Sequence, residues 1–274
     1  MPPVATLLSE LPASLSGRSW PSGPMRAGTP VLRPVTPAAP ATRQRALIGA
    51  GGHAREVMAQ MGEKLPCFVD DAYRTDRTLP LSQFDPDQYE VLIAIGDSAD
   101  RRRMAERLPR GTRYFTFVHP TALLLEDVVV GEGSFIGAHC ILTTNIRLGR
   151  HALLNRGNQV GHDAVAGDFL SLMPGSILSG NVRLGDDVYL GNNACVKEKV
   201  GVCSGTTIGM GAMVVAKISE PGTYVGVPAR PLPRPSAAAA PAPAGKGRCG
   251  FSPCRCVNGN QCRGTTQAPA PAGL

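Results

Sequence analysis

The chain has 274 residues, of which 43% are hydrophobic, 18% charged and 5% aromatic, enough apolar content for one large or two modest domains with their own cores. The formal net charge of +7 comes from the two terminal segments, since residues 45–232 are close to neutral. The charge therefore gives no reason to expect a nucleic-acid partner, and no apolar run reaches the roughly 20 residues that a membrane-spanning helix needs.

The first segment, residues 1–44, is rich in Pro, Ala and Ser and is predicted to be disordered, because it has neither helical nor strand periodicity. Its Arg- and Ser-rich, acid-poor composition is also that of an organelle transit peptide. A translation start at Met25 or near Arg45 is the favoured alternative, since it would leave the same folded part. No pattern of a secretory signal is found, so the cytoplasm is the expected location.

Residues 45–117 are predicted to form a small α/β unit. A buried strand over 46–48 precedes a glycine turn and a helix whose apolar residues recur at i, i+3, i+4 and i+7 from Ala54. The stretch PCFVDD predicts a second strand, EVLIAIGDS a third strand with its turn, and ADRRRMAERL a basic amphipathic helix.

The glycine turn at residues 49–54 satisfies the dinucleotide pattern G-x-G-x-x-[GA], and Asp70 and Asp71 follow about 20 residues later. The unit is, however, about half the size of a doubly wound dinucleotide domain, which favours a single nucleotide. Its acidic groups would accept hydrogen bonds from hydroxyls or the base. Its phosphates are expected near the amino end of the helix, at Gly51, Gly52 and His53.

After the α/β unit, the sequence has a strict hydrophobic period of six residues. Every sixth residue from Val118 to Val214 is small or apolar, without a skipped position: Val118, Leu124, Val130, Ile136, Leu142, Leu148, Leu154, Val160, Ala166, Leu172, Leu178, Leu184, Leu190, Val196, Val202, Ile208 and Val214. An α-helix would carry such a row around its cylinder. The period predicts a hexapeptide β-solenoid over 118–220, with a closing segment at 221–232. Three short strands make each coil of 18 residues, the aliphatic row points inward, and the Gly that often follows it supplies the tight corner.

Eight cysteines are present, four of them in the Pro/Ala-rich segment 233–274, which is predicted to be disordered. Their spacing, C-x4-C-x-C-x5-C, matches no zinc-ribbon pattern, so an unstructured extension is favoured over a small metal knuckle and no metal site is predicted. The other four are expected to behave as small buried hydrophobes: Cys67, Cys140, Cys195 and Cys203.

Several motifs in this order resemble a known family: IGAGGHARE, a strand ending VDD, IAIGDSADRRR, FVHPTA, LLNRGNQVGHD within the solenoid, and the close YVGVPARPL. Over about residues 45–232 the chain resembles the sugar acyltransferases. These include the sialic-acid O-acetyltransferases (NeuD) and the bacillosamine-type, PglD-like N-acetyltransferases of nucleotide amino sugars. The resemblance implies a left-handed β-helix, a homotrimer and acetyl-CoA as acyl donor.

His162 is the expected catalytic residue, because it lies in the stretch 155–163 that matches the family's catalytic segment. Acyl transfer from a thioester needs a group with a pKa near 7 to take the proton of the attacking amine or hydroxyl. Asp163 would orient the ring, which requires a corner or a second subunit because neighbouring strand residues face opposite ways. Asn155 would hydrogen-bond across the same interface.

The resemblance also implies two binding sites. The sugar nucleotide would contact Gly51, Gly52 and His53 at its phosphates, and Asp70 and Asp71 near the uridine or sugar. Gly96 and Asp97 would close the pocket. The alternative role of His53 is to cap the helix. Acetyl-CoA would contact Ser171, Gly191, Asn192, Gly209 and Met210. The bacillosamine-type enzymes have a second histidine where this chain has Ser171, which weakens the assignment to N-acetylation.

The expected reaction is direct attack of an amino-sugar amine on the thioester, for surface glycan assembly, with a backbone N–H near the corner holding the oxyanion. O-acetylation of sialic acid by the same site and a non-catalytic nucleotide-sugar-binding scaffold remain alternatives. A solenoid zinc enzyme is disfavoured, because His139, His151 and His162 are not spaced by the 18 residues that stack side chains on one face.

Overall fold

A computed structural model describes residues 43–233. The segments predicted to be disordered, 1–44 and 233–274, lie outside the described residues except at their inner edges, and there the predicted boundary is wrong, because Gln44 belongs to the first strand. The tail cysteines lie outside the described residues. Within the described part, no helix is long and apolar enough to cross a bilayer.

The α/β unit has a five-stranded parallel sheet in the order β3-β2-β1-β4-β5. Its elements are β1 (Gln44–Ile48), α1 (Gly52–Met61), β2 (Cys67–Val69), β3 (Leu79–Pro80), β4 (Tyr89–Ile93), α2 (Ser98–Arg107) and β5 (Arg113–Tyr114). Two short 3-10 turns, Asp71–Tyr73 and Leu81–Gln83, connect the strands. The predicted strands and helices are confirmed, each within a few residues.

Strand alternation divides the core of this unit between two layers. Leu47 packs with α1 on one face of the sheet, and Ala46 and Ile48 pack on the other face with residues of α2. The layer containing α1 also includes Phe135, which belongs to the solenoid. The α/β unit therefore lies directly on the solenoid and shares part of its core.

The solenoid is a left-handed parallel β-helix with three faces. Sheet I contains β6 (Phe117–Val118), β9 (Phe135–Ile136), β12 (Leu153–Leu154), β15 (Ser171–Leu172), β18 (Tyr189–Leu190), β21 (Thr207–Ile208), β23 (Thr223–Val225) and β24 (Arg230–Pro231). Sheet II contains β7 (Leu123–Leu124), β10 (Ile141–Leu142), β13 (Gln159–Val160), β16 (Ile177–Leu178), β19 (Cys195–Val196) and β22 (Met213–Val214). Sheet III contains β8 (Val128–Val130), β11 (Ile146–Leu148), β14 (Val165–Ala166), β17 (Arg183–Leu184) and β20 (Gly201–Val202).

The register confirms the predicted coil length, because each strand from β6 to β19 pairs with the strand 18 residues further on, as Leu154 does with Leu172. The last coil is shorter, since Thr207 pairs with Thr223. The whole six-residue row from Val118 to Val214 lies in or against the solenoid core. Of the cysteines, Cys67 and Cys140 are buried as expected. The expectation is wrong for Cys195 and Cys203, which are only partly buried; Cys195 stands at the outward position of β19, beside the inward Val196.

The glycines that follow the aliphatic row lie at the corners, as predicted, but they do not adopt a left-handed backbone. That conformation occurs three residues after the row positions from Leu124 to Ile208, at every sixth residue from Asp127 to Gly211, and mostly at residues other than Gly. The row glycines are needed for close approach instead: a Cβ at Gly131 would lie 2.5 Å from the backbone of Gly149 in the next coil. Successive coils touch at these corners, so no side chain fits there.

His151 occupies one of these left-handed corners (φ 55°) and is only 2% exposed. Its ring stacks on Phe169 with centroids 4.8 Å apart, and Tyr114 meets it edge-on at 4.5 Å. His151 is therefore a packing residue of the solenoid. Burial, with the nearby positive charges of Arg150 and Arg101, lowers the pKa of His151 to about 4.

This pKa predicts a loss of stability in acid. The histidine pKa in the unfolded chain is near 6.5, so between pH 6.5 and 4 the unfolded chain binds a proton that the folded chain does not. The free energy of unfolding should therefore fall by about 3 kcal/mol as the pH drops through that window. Urea unfolding of wild type and His151→Asn at several pH values tests this. Asn does not titrate and tolerates the left-handed corner, so the difference between the two slopes reports His151. Equal slopes would contradict the prediction.

Candidate active site

His162 and Asp163 form a hydrogen-bonded pair at the corner between sheets II and III. The His162 Nδ1 atom lies 2.7 Å from Asp163 Oδ2, and both side chains are substantially exposed. The pairing is possible between neighbours because Asp163 adopts a left-handed backbone (φ 58°), which breaks the alternation of strand residues. The predicted contact between His162 and Asp163 is thus made at a corner of the solenoid, within a single chain.

Two further groups hold this pair in place. The Asn145 amide donates to the other Asp163 carboxylate oxygen, Oδ1, at 3.0 Å. Hydrogen bonds from His162 and then Asn145 keep the pKa of Asp163 below its usual value, so the carboxylate stays charged beside the imidazole. On the other side, the ring of His162 lies over Gly180, where a Cβ would come within 2.5 Å of Nε2.

A cleft of about 1220 Å³ opens at the carboxyl ends of β1, β2 and β4, between α1 and α2. Gly51 and Asp70, both predicted to contact the nucleotide, line it. Asp70 is paired with Arg107 at 2.7 Å, and that hydrogen bond lowers the pKa of the Asp70 carboxyl. Asp71, in the 3-10 turn that follows, does not line the cleft. Five basic side chains surround it: Arg55, Lys64, Arg77, Arg103 and Arg107.

A smaller pocket of about 550 Å³ lies between the amino end of α1 and the solenoid. Three residues predicted for the sugar nucleotide, Gly52, His53 and Gly96, line it together with Asn155, Glu56 and Met173. His53 does not cap α1; the cap is Gly51, which has no side chain to offer, and the His53 ring faces Glu56 and Phe135. Burial lowers the pKa of His53.

Asp97, which was predicted to close the nucleotide pocket, is the N-cap of α2. Its carboxylate accepts a hydrogen bond from the Asp100 N–H at 2.9 Å. Arg55 lines both cavities. The two cavities are therefore neighbours.

The positions predicted for acetyl-CoA divide into two groups. Gly191, Asn192, Gly209 and Met210 lie on the corner between sheets I and II, where Gly191 and Gly209 stack above Asn155 and Met173 in successive coils. Asn192 and Met210 are exposed there. Ser171 is fully buried in sheet I, so its side chain has no exposed surface with which to meet a ligand.

Ser171 belongs to a buried network of hydrogen bonds, the Arg101 joint, which links the α/β unit to the solenoid. Arg101 lies at its centre and is 1% exposed. The Arg101 guanidinium donates to Ser171 Oγ at 2.8 Å and to the carbonyls of Phe169 and Leu170 at 3.0 Å. It also donates to the carbonyl of Gly96 at 3.1 Å, and Ser171 Oγ donates to the same oxygen at 3.0 Å. Burial lowers the pKa of Arg101 to about 10, so it remains charged at neutral pH. The joint fixes the turn at Gly96 against the solenoid.

Sequence reasoning did not assign Asn145, Arg101 or the basic side chains of the cleft. Asn145 precedes Asp163 by the coil length of 18, and Arg55 follows Gly51 by one helical turn, so both signals were present. Arg101 carried no signal, because most of its acceptors are backbone carbonyls, three of which lie 50, 68 and 69 residues away on the solenoid.

Known proteins agree with this architecture. The family model of the PglD N-terminal domain matches residues 46–108. GDP-perosamine N-acetyltransferase of Escherichia coli O157:H7 is 31% identical over 180 residues, which cover 56% of this chain and 78% of that protein.

Two solved structures cover the solenoid as well. PerB from Caulobacter crescentus, in complex with CoA and GDP-perosamine, is 26% identical with a TM-score of 0.62, and the match covers 72% of this chain and 100% of that one. The acetyltransferase domain of PglB from Neisseria gonorrhoeae FA1090, in complex with acetyl coenzyme A, is 29% identical with a TM-score of 0.57 and covers 70% and 100%. The fold, the motifs and these relatives together make the chain a member of the PglD-like hexapeptide acyltransferases, and an acyltransferase enzyme.

Proposed function

We propose that this enzyme transfers the acetyl group of acetyl-CoA to the amine of a nucleotide-linked amino sugar, in the cytoplasm and for surface glycan assembly. The names of its relatives support the amino-sugar nucleotide, since one is a GDP-perosamine N-acetyltransferase and PerB holds CoA with GDP-perosamine. The observation that carries the reaction is the His162–Asp163 pair, in which the second imidazole nitrogen, Nε2, makes no hydrogen bond to a residue that the structure describes.

His162 is the general base in this proposal. Because its Nδ1 faces the Asp163 carboxylate, Nδ1 carries the proton and Nε2 presents a lone pair. The substrate amine attacks the thioester carbonyl carbon and gives its proton to Nε2. The tetrahedral intermediate then collapses, the C–S bond breaks, and the protonated His162 returns the proton to the CoA thiolate.

The backbone N–H of Gly180 is suited to hold the oxyanion. Gly180 lies against His162 Nε2, and its N–H donates to no other residue in the described part of the chain. A donor placed beside the base stabilises negative charge where the thioester oxygen would develop it.

The nucleotide would occupy the larger cleft. The amino end of α1 has no side-chain cap and no acidic residue in its first turn, so its free N–H groups and dipole favour phosphate. Arg55 and Arg103 line the cleft beside it. The sugar would extend past Arg55 into the smaller pocket, towards His53, Gly96 and Asn155.

Acetyl-CoA would lie along the corner of Gly191, Asn192, Gly209 and Met210. Ser171 would not contact it, and would instead support the site through its hydrogen bond to the Gly96 carbonyl. This corner runs along one edge of sheet II.

The base and the pocket of one chain lie at opposite ends of β13: Asn155 precedes the strand and His162 follows it. His162 does not line the smaller pocket. Between them, sheet II presents an outward column of Leu123, Ile141, Gln159, Ile177, Cys195 and Met213, which is mostly apolar. A second copy packed along this column would bring its own pocket to His162, which supports a homotrimer with active sites between subunits.

Ile141→Glu should dissociate this assembly, because Ile141 is a 37% exposed member of the column and the variant would bury a charge against a second copy. Sedimentation equilibrium should give three copies for wild type and one for the variant, with acetyl transfer lost in parallel. Val129→Glu is the matched control, because it places the same charge on sheet III at a position that is 51% exposed. A monomeric wild type, or an Ile141→Glu trimer, would contradict the arrangement.

Release of free thiol from acetyl-CoA, measured with the full chain against UDP-, dTDP- and GDP-linked amino sugars and free sialic acid, tests the proposed function. Turnover with an amino-sugar nucleotide is the expected result. Turnover with sialic acid alone would replace N-acetylation by O-acetylation. Binding of a nucleotide sugar without turnover would favour a scaffold.

A further inference from the structure

We infer that Asn145 is a positioning residue of the acetyl-transfer site, which fixes the Asp163 carboxylate so that it faces His162. The inference rests on the proposed function of His162 as general base. It goes beyond that function by adding a third residue, from the preceding coil, on which the base depends.

The geometry is a chain of two hydrogen bonds. The Asn145 amide donates to Asp163 Oδ1 at 3.0 Å, and the second oxygen, Oδ2, lies 2.7 Å from His162 Nδ1. A carboxylate held at one oxygen can turn only about that contact. Its other oxygen is thereby directed at the imidazole, which fixes both the tautomer and the plane of the ring.

Without Asn145, little else would orient this carboxylate. Asp163 is 40% exposed, and its hydrogen bonds to described side chains are those to Asn145 and His162. A carboxylate this exposed exchanges rotamers readily and is hydrated by solvent. The amide therefore keeps Asp163 in the single rotamer that serves His162.

The surrounding charges do not replace Asn145. Arg183, from the coil above, donates to the backbone carbonyl of Asp163. Arg147 is paired with Asp127 on the coil below, at 2.8 Å. Lys199, two coils above in the same corner column, makes no ion pair with a described residue. Asn145 is thus the one described side chain besides His162 that touches the Asp163 carboxylate.

The chain provides a matched control in Asn181. It stands in the same corner column one coil above Asp163, with the same φ of 60° and similar partial burial. Its side chain makes no hydrogen bond to a described residue, although its backbone N–H donates to the His162 carbonyl. Replacement of either Asn by Gly suits the left-handed backbone, so the pair of variants isolates the contact with Asp163.

The test is the steady-state kinetics of acetyl transfer in the full chain. Asn145→Gly should lower kcat roughly 10-fold and leave KM for acetyl-CoA and for the sugar nucleotide within about twofold, because the base is misaligned but no substrate contact is lost. Asn181→Gly should retain wild-type kinetics. Equal rates for wild type and Asn145→Gly, or equal losses in the two Gly variants, would overturn the inference.

Asn145→Asp gives a readout that a structural role would not move. Asp127 adopts the same left-handed corner one coil below (φ 53°), so Asp fits the backbone at position 145. A second carboxylate beside Asp163 would place more negative charge next to the imidazole and stabilise its protonated form. The acidic limb of the pH profile of kcat/KM should then move up by about one pH unit. An unmoved limb would overturn the inference.

His162→Ala separates this inference from the proposed function. If His162→Ala retains wild-type activity, the base assignment itself is wrong. If it is inactive while Asn145→Gly and Asn145→Asp behave as wild type, the base assignment stands and only the role of Asn145 is wrong.

Discussion

Replacement of His162 by Ala should lower kcat/KM for acetyl transfer by roughly 10²- to 10³-fold, the usual contribution of a general base. The variant lacks the nitrogen that we propose as acceptor of the amine proton, whereas both cavities are lined by other residues. The KM of either substrate should change little for the same reason. Thiol release from acetyl-CoA, followed over a range of substrate concentrations, measures both parameters.

His139→Ala is the control for this variant. His139 is also exposed and stands at a solenoid corner, in the left-handed position (φ 57°) that Asp163 takes beside His162. It has no carboxylate partner in the described part of the chain. It should retain wild-type kinetics. A His162→Ala enzyme within about threefold of wild type would show that another group takes the proton, and would remove the base assignment.

Replacement of Arg101 by Met should lower the free energy of unfolding by about 3 kcal/mol, because several buried acceptors lose their donor at once. Met fills a similar volume, so the loss reports hydrogen bonding rather than a cavity. The acceptors include the carbonyls of His151, Phe169 and Leu170 on the solenoid and those of Ile95 and Gly96 at the end of β4. The variant also no longer buries a guanidinium charge, and this gain offsets part of the loss in the free energy of unfolding.

Urea unfolding measures this difference, with Arg103→Met as the matched control. Arg103 lies two residues further along α2, has a side chain that is 71% exposed, and pairs only with Asp100 on its own helix among the described residues. Its replacement should change stability by less than about 0.5 kcal/mol. Equal effects of the two substitutions would refute a special role for Arg101. Because Gly96 lines the smaller pocket, KM for the sugar nucleotide should also rise in Arg101→Met.

The sequence alone determined the solenoid. A row of aliphatic residues with a strict period of six admits neither a helix nor a single flat strand, and the structure buries that row from Val118 to Val214. The α/β unit was equally accessible, because its helix has a 3.6-residue apolar period and its strands are short apolar runs between turns. The His162–Asp163 contact followed from adjacency once a corner was placed between them.

The tertiary structure decided what residues at a distance do to one another. The row glycines are required because the next coil passes within 2.5 Å of a Cβ at Gly131, which no local propensity reveals. Ser171 and Arg101 became a buried joint because the α/β unit lies on sheet I, and Asn145 reached Asp163 because coils stack every 18 residues. Local periodicity encodes the shape of each coil, whereas contacts between elements depend on how those coils and the α/β unit pack in space.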